Sequence, residues 1–421
     1  MYHLIEGAES KGNPVKQTTI ILMALIIGVA LGMLLGASTP SVTDAADVVG
    51  TLWLNGLRMT VVPLVVALLV TGIAQTAQAA RAGRLAGRAV VTMLVILWCS
   101  SIMAALMMPV LLAIFPMPAG SAEALRAALS SAAPTGVVPP FGDFLRAMIP
   151  TNPIAAAASD AILPLIIFTA IFGFAVTRLP EAKRGHVTGL FDALADAMII
   201  IIGWVLALAP IGVFALAFVV GTKAGAAAFG ALAHYVFILS ALGIVVWLAS
   251  FMLAYFGARR GVTEFFKASI PAQAVAISTQ SSIASLPAML KGVTALGVPA
   301  ATADVVLPLA VAIFRATGPA MNLGVALYIA YWFDVEVGPA QIAIGIAAAA
   351  TTTLGAVSLP GSVSFVSSIA PICIAIGAPV EPLGLLIAVE TFPDIFRTLG
   401  NVTMDMAVTG TISRQSEPEG S

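Results

Sequence analysis

Apolar residues along this chain gather into runs of about twenty or more, the length that crosses a hydrocarbon core as a helix. Runs at 18–36, 59–77, 89–115, 153–177, 197–220 and 226–257 each predict a membrane helix. The first starts late and is followed by no small-residue cleavage site and soluble domain, so it predicts a retained helix and not a cleaved leader. Basic residues fall between the runs: Lys11 and Lys16; Arg81, Arg84 and Arg88; Arg178, Lys183 and Arg184; Arg259, Arg260 and Lys267. Each group follows an even number of spans, counting zero, whereas the short loop after the first span carries Asp44 and Asp47 with no Lys or Arg. The positive-inside rule then predicts a cytoplasmic N-terminus with these groups beside it.

The pattern changes in the C-terminal half. From 269 to 411 the chain stays apolar but is broken repeatedly by Gly, Pro, Ser and Thr. One polar stretch holds Ser278, Thr279, Gln280, Ser281, Ser282 and Ser285 before Pro287; another holds Thr351, Thr352, Thr353, Gly355 and Ser358 before Pro360, Gly361 and Ser362. Polar backbone at membrane depth is tolerated only where protein buries it or where it lines a wet cavity. Each stretch therefore predicts a helix–loop–helix that enters the membrane and turns back, and paired broken segments are a sequence pointer to a transporter's binding site.

Composition agrees and narrows the class. The chain is 60% hydrophobic and only 9% charged, too little polar surface for a water-soluble protein of 421 residues. Its 19 Lys+Arg and 20 Asp+Glu nearly cancel, so bulk charge points to no nucleic-acid or acidic partner. Cys99 and Cys373 sit in apolar runs without metal-ligand spacing, and His3, His186 and His234 are scattered, so no redox pair or metal cluster is expected.

Against that background one segment stands out. Between 382 and 408 lie Glu390, Asp394, Arg397 and Asp405, with Thr398 and Asn401 among them. Charge inside a membrane helix is costly, and at 3.6 residues per turn positions 390, 394, 397, 401 and 405 share a sector of about 80° that runs about 22 Å along the axis. Such a stripe must face a polar cavity or partners on other segments. An Asp394–Arg397 ion pair would account for two of these residues but not for the rest. A guanidinium fork suits a carboxylate, a carboxylate one turn away suits an ammonium group, and Asn401 with Asp405 offers oxygens for an alkali cation or a proton. The chemistry predicted is a small ligand of both charge signs with a cation beside it. Arg58 and Asp160 lie near segment ends, where snorkelling or pairing is expected. Arg315 stands in an apolar run, either near a helix end or as a counter-charge to the acidic stripe.

These segments together resemble the dicarboxylate/amino acid:cation symporter family over nearly the whole chain, from about Leu52 to Thr411. Leu57-Arg58-Met59-Thr60-Val61-Val62-Pro63 resembles its second helix; Ile149-Pro150-Thr151-Asn152-Pro153 and Ala209-Pro210-Ile211-Gly212-Val213-Phe214-Ala215 resemble its fourth and fifth. Thr279 to Pro287 is similar to the first hairpin tip and Leu359-Pro360-Gly361 to the second, while Asp394-Ile395-Phe396-Arg397-Thr398-Leu399-Gly400-Asn401-Val402-Thr403-Met404-Asp405 follows the last helix closely.

The resemblance implies an all-α integral membrane protein with eight transmembrane helices plus two re-entrant helical hairpins, inverted repeats, an elevator-type motion and a homotrimer. A single transporter domain would cover 17–412, with scaffold at about 17–80 and 150–222, transport core at about 89–116 and 226–412, and a polar cytoplasmic tail at 413–421. It implies a multi-pass protein of the inner (plasma) membrane with both termini cytoplasmic. Arg397 would bind a substrate side-chain carboxylate and Asp394 its amino group, with Thr398 and Asn401 completing the pocket. Ser281, Ser282, Pro360, Gly361 and Ser362 would hold the main carboxylate. Asp405 with Asn401 would form a cation site, and Ser100 and Ser101 a hydroxyl pair of another. The family's seventh helix carries Asn-Met-Asp-Gly-Thr or Asn-Leu-Asp-Gly-Thr; the stretch Pro319 to Tyr328 lacks that Asp and has Val325 for the Thr. Asn322 matches the motif's Asn after a one-residue deletion and joins the cation residues on that ground. The coupling ion implied is sodium, or protons taken up on Glu390, Asp394 or Asp405, with Arg315 placed to supply a fixed charge; no other cofactor is expected.

The function expected is symport of aspartate or glutamate with sodium and/or protons. The same resemblance allows C4-dicarboxylates such as succinate, fumarate or malate. An intramembrane enzyme is the distant alternative: a two-carboxylate protease would need a partner for Asp394, for which Asp160 is the lone candidate, and no His lies in the serine-rich stretches to activate a hydroxyl.

Overall fold

The computed structural model describes residues 14–81, 83–118, 120, 123, 126, 149–159, 161–355 and 361–416, and among these there is no strand. In chain order the helices are α1 (Pro14–Leu35), α2 (Pro40–Arg58), α3 (Val61–Arg81), α4 (Arg84–Ile114), α5 (Pro153–Ala158), α6 (Ile162–Val176), α7 (Glu181–Ala207), α8 (Ala209–Ala224), α9 (Ala227–Phe256), α10 (Val262–Thr279), α11 (Ser282–Ala295), α12 (Ala300–Ile313), α13 (Thr317–Trp332), α14 (Pro339–Gly355), α15 (Gly361–Ile376), α16 (Pro382–Leu386) and α17 (Thr391–Ser416). Pro40–Arg81, Arg84–Ile114, Glu181–Ala207, Ala227–Phe256 and Ala300–Trp332 are long and apolar enough to cross a membrane.

Three predicted elements come out differently. The short loop expected after the first span is largely helix α2, because Pro40 starts it at N1 and Gly50, Trp53, Leu54 and Leu57 form one buried face at i, i+3, i+4 and i+7. That face lies on α8, and the Trp53 indole N–H donates to the Val205 carbonyl at 2.8 Å, in the last turn of α7. The predicted span 197–220 is two helices, since Pro210 near the start of α8 cannot continue the ladder of α7. The predicted span 153–177 is also divided, into α5 and α6; Asn152 caps α5 by accepting from the Ile154 and Ala155 N–H groups at 3.0 and 3.1 Å.

Close packing of small residues joins α1 to α8. A Cβ at Gly32 would stand 2.1 Å from the Phe218 carbonyl oxygen, so only glycine lets the backbones approach this far. The Thr222 hydroxyl, 3.2 Å from the Gly32 carbonyl, donates across the same seam. Elsewhere α9 packs along α17, α10 on α11, and α14 on α15, while α3 touches both α14 and α15. The basic loops meet at one end of the molecule: Arg81 donates to the Thr177 carbonyl at 3.2 Å, Arg88 to Gln415 at 3.0 Å, and Arg414 to Gly257 at 3.0 Å. Arg58 pairs with Glu381 at 2.7 Å, the pairing its place near a segment end predicts.

The broken segments position the site. Between α10 and α11, Gln280 adopts a left-handed conformation (φ 51°) and Ser281 caps α11 by accepting from the Ala284 N–H at 3.2 Å, which reverses the chain in two residues. Between α12 and α13 the helix opens at Phe314, Arg315 and Ala316, with Phe314 extended and Pro319 in the first turn of α13, where its missing N–H costs nothing. The interruption in this segment is therefore at 314–316, ahead of the stretch from Pro319 to Tyr328, which is continuous buried helix.

Candidate functional site

The start of α17 concentrates the charge. Arg397 is held by three groups: Nη2 donates to Glu390 Oε1 at 2.8 Å, Nη1 donates to Asn322 Oδ1 at 2.8 Å, and Nε lies 3.3 Å from Asp394 Oδ1. The other Glu390 oxygen accepts from the Tyr235 hydroxyl of α9 at 2.7 Å. The Arg397, Glu390 and Asp394 side chains are 12%, 8% and 17% exposed, so this is an ion cluster shielded from water, in which each charge depends on its partners. Glu390 is not on the helical stripe that the spacing predicts. α16 ends at Leu386 and α17 begins at Thr391, with Pro393 in its first turn, so Glu390 reaches Arg397 from the intervening turn.

Farther along α17, Asn401 Oδ1 accepts from the Thr317 backbone N–H at 2.9 Å and lies 2.8 Å from the Thr317 hydroxyl. One turn on, Asp405 is wholly buried, and neither carboxylate oxygen meets a hydrogen-bond donor among the described residues. A buried carboxylate in that state calls for a cation or a proton. Ser100 donates to the Ala316 carbonyl at 2.5 Å, inside the α12–α13 break, and Ser101 donates to the Ile346 carbonyl of α14 at 3.0 Å.

The structure thus brings Asp394 and Arg397 together, and puts Asn401 and Asp405 one turn apart behind them. Thr398 is buried beside them. Asn322, expected among the cation residues, sits on Arg397. Ser281 and Ser282 lie at the α10–α11 tip, which is tied to the start of α17 by Gln280 Nε2 donating to the Thr391 carbonyl at 3.2 Å. Pro360 and Asp160 fall outside the described residues, as does the side chain of Ser362, while Gly361 opens α15. Sequence reasoning missed Tyr235 and Thr317. The signal for Tyr235 is a hydroxyl-bearing ring inside an apolar run, beside His234, and for Thr317 its place just ahead of Pro319.

The model of the sodium:dicarboxylate symporter family matches residues 20–415. The chain belongs to this family. Relatives of the symporter include the proton/glutamate-aspartate symporter of Escherichia coli (strain K12), 26% identical, with 91% of this chain and 89% of the relative covered. The C4-dicarboxylate transport protein of Deinococcus radiodurans is 26% identical over 94% of this chain and 88% of the relative, and the proton/sodium-glutamate symport protein of Bacillus caldotenax is 27% identical over 90% of each. The symporter is a multi-pass membrane transport protein and not an enzyme.

Proposed function

We propose that this symporter carries acidic amino acids, aspartate or glutamate, across the inner (plasma) membrane together with sodium and/or protons. The observation that carries the proposal is the Arg397–Asp394 pair on the first turns of α17, 3.3 Å apart. The fork takes a substrate carboxylate in place of Glu390, and Asp394 takes the ammonium group, while Thr398, Asn401 and the tip residues Ser281, Ser282, Pro360, Gly361 and Ser362 complete the pocket. Asp405, a buried carboxylate that meets no donor, forms with Asn401 the proposed cation site, and Ser100 and Ser101 are proposed ligands of another. Asp394 is itself engaged by Arg397 Nε, which softens its repulsion of a ligand lacking an ammonium group; this favours C4-dicarboxylates as the second reading.

The proposed architecture is eight transmembrane helices plus two re-entrant hairpins, α10–α11 and α14–α15, in inverted repeats. A scaffold of about 17–80 and 150–222 would hold a core of about 89–116 and 226–412 that moves as an elevator. Support comes from the α1–α2–α8 packing on one side and the α9–α17 packing on the other. Cytoplasmic termini are supported by the basic loops and the end of α17 meeting at one end. A homotrimer in lipid is the assembly that the family resemblance implies.

The test is uptake of labelled L-aspartate into proteoliposomes under a sodium or a proton gradient, with unlabelled succinate as competitor. Gradient-driven aspartate uptake is expected. Strong succinate competition shifts the assignment to dicarboxylates, and uptake of neither removes it.

A further inference from the structure

Three chain segments close around one basic cavity at the end of the molecule where the basic loops meet. The cavity measures about 270 Å³ and is lined by Arg259 and Arg260 from the α9–α10 link, Leu296 and Val298 from the α11–α12 link, and Ser413 and Arg414 from the last turn of α17. Its guanidinium groups lack firm counter-charges. Among the described residues neither Arg259 nor Arg414 has a carboxylate partner, and Arg260 reaches only Glu264, at 4.0 Å with that side chain 53% exposed. An exposed pair of that length contributes little.

Each of the three arginines is nevertheless set in place. Arg414 Nη1 donates to the Gly257 carbonyl at 3.0 Å and so lies against the end of α9. The Arg260 guanidinium sits over Gly297 (φ 81°), where a Cβ would stand 3.2 Å from Nη2. Arg259 has φ 52°, in the turn where the Arg260 N–H closes α9 on the Ala254 carbonyl at 3.1 Å. Glycine or asparagine fills such a left-handed position at least cost, so an arginine there points to a use for its charge.

Three guanidinium groups around one cavity repel one another, and their forks match the oxygens of a phosphate, which each can bind through two N–H groups. Pockets of about 300–1,000 Å³ hold whole small molecules. This smaller cavity, with Leu296 and Val298 as its apolar side, has room for a headgroup. We propose that it is a phosphate-group site, in which Arg259, Arg260 and Arg414 hold the anion and Ser413 adds a hydroxyl donor, the source being an anionic phospholipid or free phosphate. An occupant joins the α9–α10 and α11–α12 links to the end of α17. The proposal goes beyond the transport reading and does not depend on it.

The test is the melting temperature of delipidated full-length protein in detergent, titrated with phosphatidic acid against phosphatidylcholine and, separately, with inorganic phosphate against chloride at constant ionic strength. A saturable rise with phosphatidic acid alone assigns the site to a lipid head, a rise with inorganic phosphate alone to the free anion, and a rise with both to either source. Arg259→Asn/Arg260→Gln is expected to weaken the apparent Kd by about tenfold. Arg178→Gln/Lys183→Gln removes the same charge from another basic loop and is expected to respond as the wild type does. A wild type that responds to neither ligand overturns the proposal, as does an equal loss in both double variants, because the effect then belongs to surface charge at large. Should Arg259→Asn/Arg260→Gln not be recovered, Arg259→Asn alone serves, since asparagine takes the left-handed turn readily. It is expected to melt as the wild type does without anion and to bind the anion several-fold more weakly; unchanged affinity overturns the site.

Discussion

The Glu390 carboxylate lies 2.8 Å from the Arg397 guanidinium, so the fork proposed for a substrate is occupied by a carboxylate of the chain itself. A ligand must displace that resident group, and its affinity is the difference between two charge-assisted pairs. Charge-assisted hydrogen bonds are roughly twice as strong as neutral ones, so Glu390→Gln is expected to tighten substrate binding by about tenfold. Isothermal titration with aspartate and succinate measures this; weaker binding of both would show that Glu390 positions Arg397 instead of competing for it.

Asp394 discriminates between the two substrate classes. Asp394→Ser removes the partner of an ammonium group, and aspartate affinity is expected to fall by about 2 kcal/mol, ~30-fold. Succinate, which has no ammonium group, is expected to bind as well or better. Competition binding against both ligands reads the outcome, and equal losses would remove this role for Asp394.

Tyr235 supports the cluster from α9. In Tyr235→Phe one oxygen of Glu390, buried at 6% exposure, loses its donor. The cost of an unsatisfied buried acceptor is about 1–3 kcal/mol, so the melting temperature should drop measurably. An unchanged melting temperature would mean that water replaces the hydroxyl.

The seam between α1 and α8 admits no side chain at Gly32. Gly32→Val would drive atoms into the Phe218 carbonyl, and a loss of about 3 kcal/mol or more is expected, seen as aggregated protein in size-exclusion chromatography. Gly189→Ala on α7, where a Cβ meets nothing within 4 Å, serves as the control and should be neutral or slightly stabilising.

Much of this molecule is legible in one dimension. The apolar runs announce membrane helices because a span's length and lipid-facing composition are local properties. The spacing of Asp394, Arg397, Asn401 and Asp405 on one face follows from helical periodicity, and the motifs they belong to point to the symporter family. Helix starts such as α8 and α13 were also written locally, in Pro210 and Pro319, although the breaks they mark lie inside runs that hydropathy alone treats as continuous.

Which groups complete each charge depends on how the helices pack. Tyr235 meets Glu390 from 155 residues away, Thr317 meets Asn401 from 84, and Asn322 turns to Arg397 from 75. No periodicity within one helix encodes such pairings, because they depend on how separate helices pack and on where the ladder opens between α12 and α13. Residue type and spacing are enough to show that charges lie within the last apolar segment and that Asp394, Arg397 and Asp405 share one helix, but not that Glu390 sits in the turn before it. The drive of buried charges and polar atoms toward partners, met across helices for Glu390, Arg397 and Asn401, fixed which residue satisfies which.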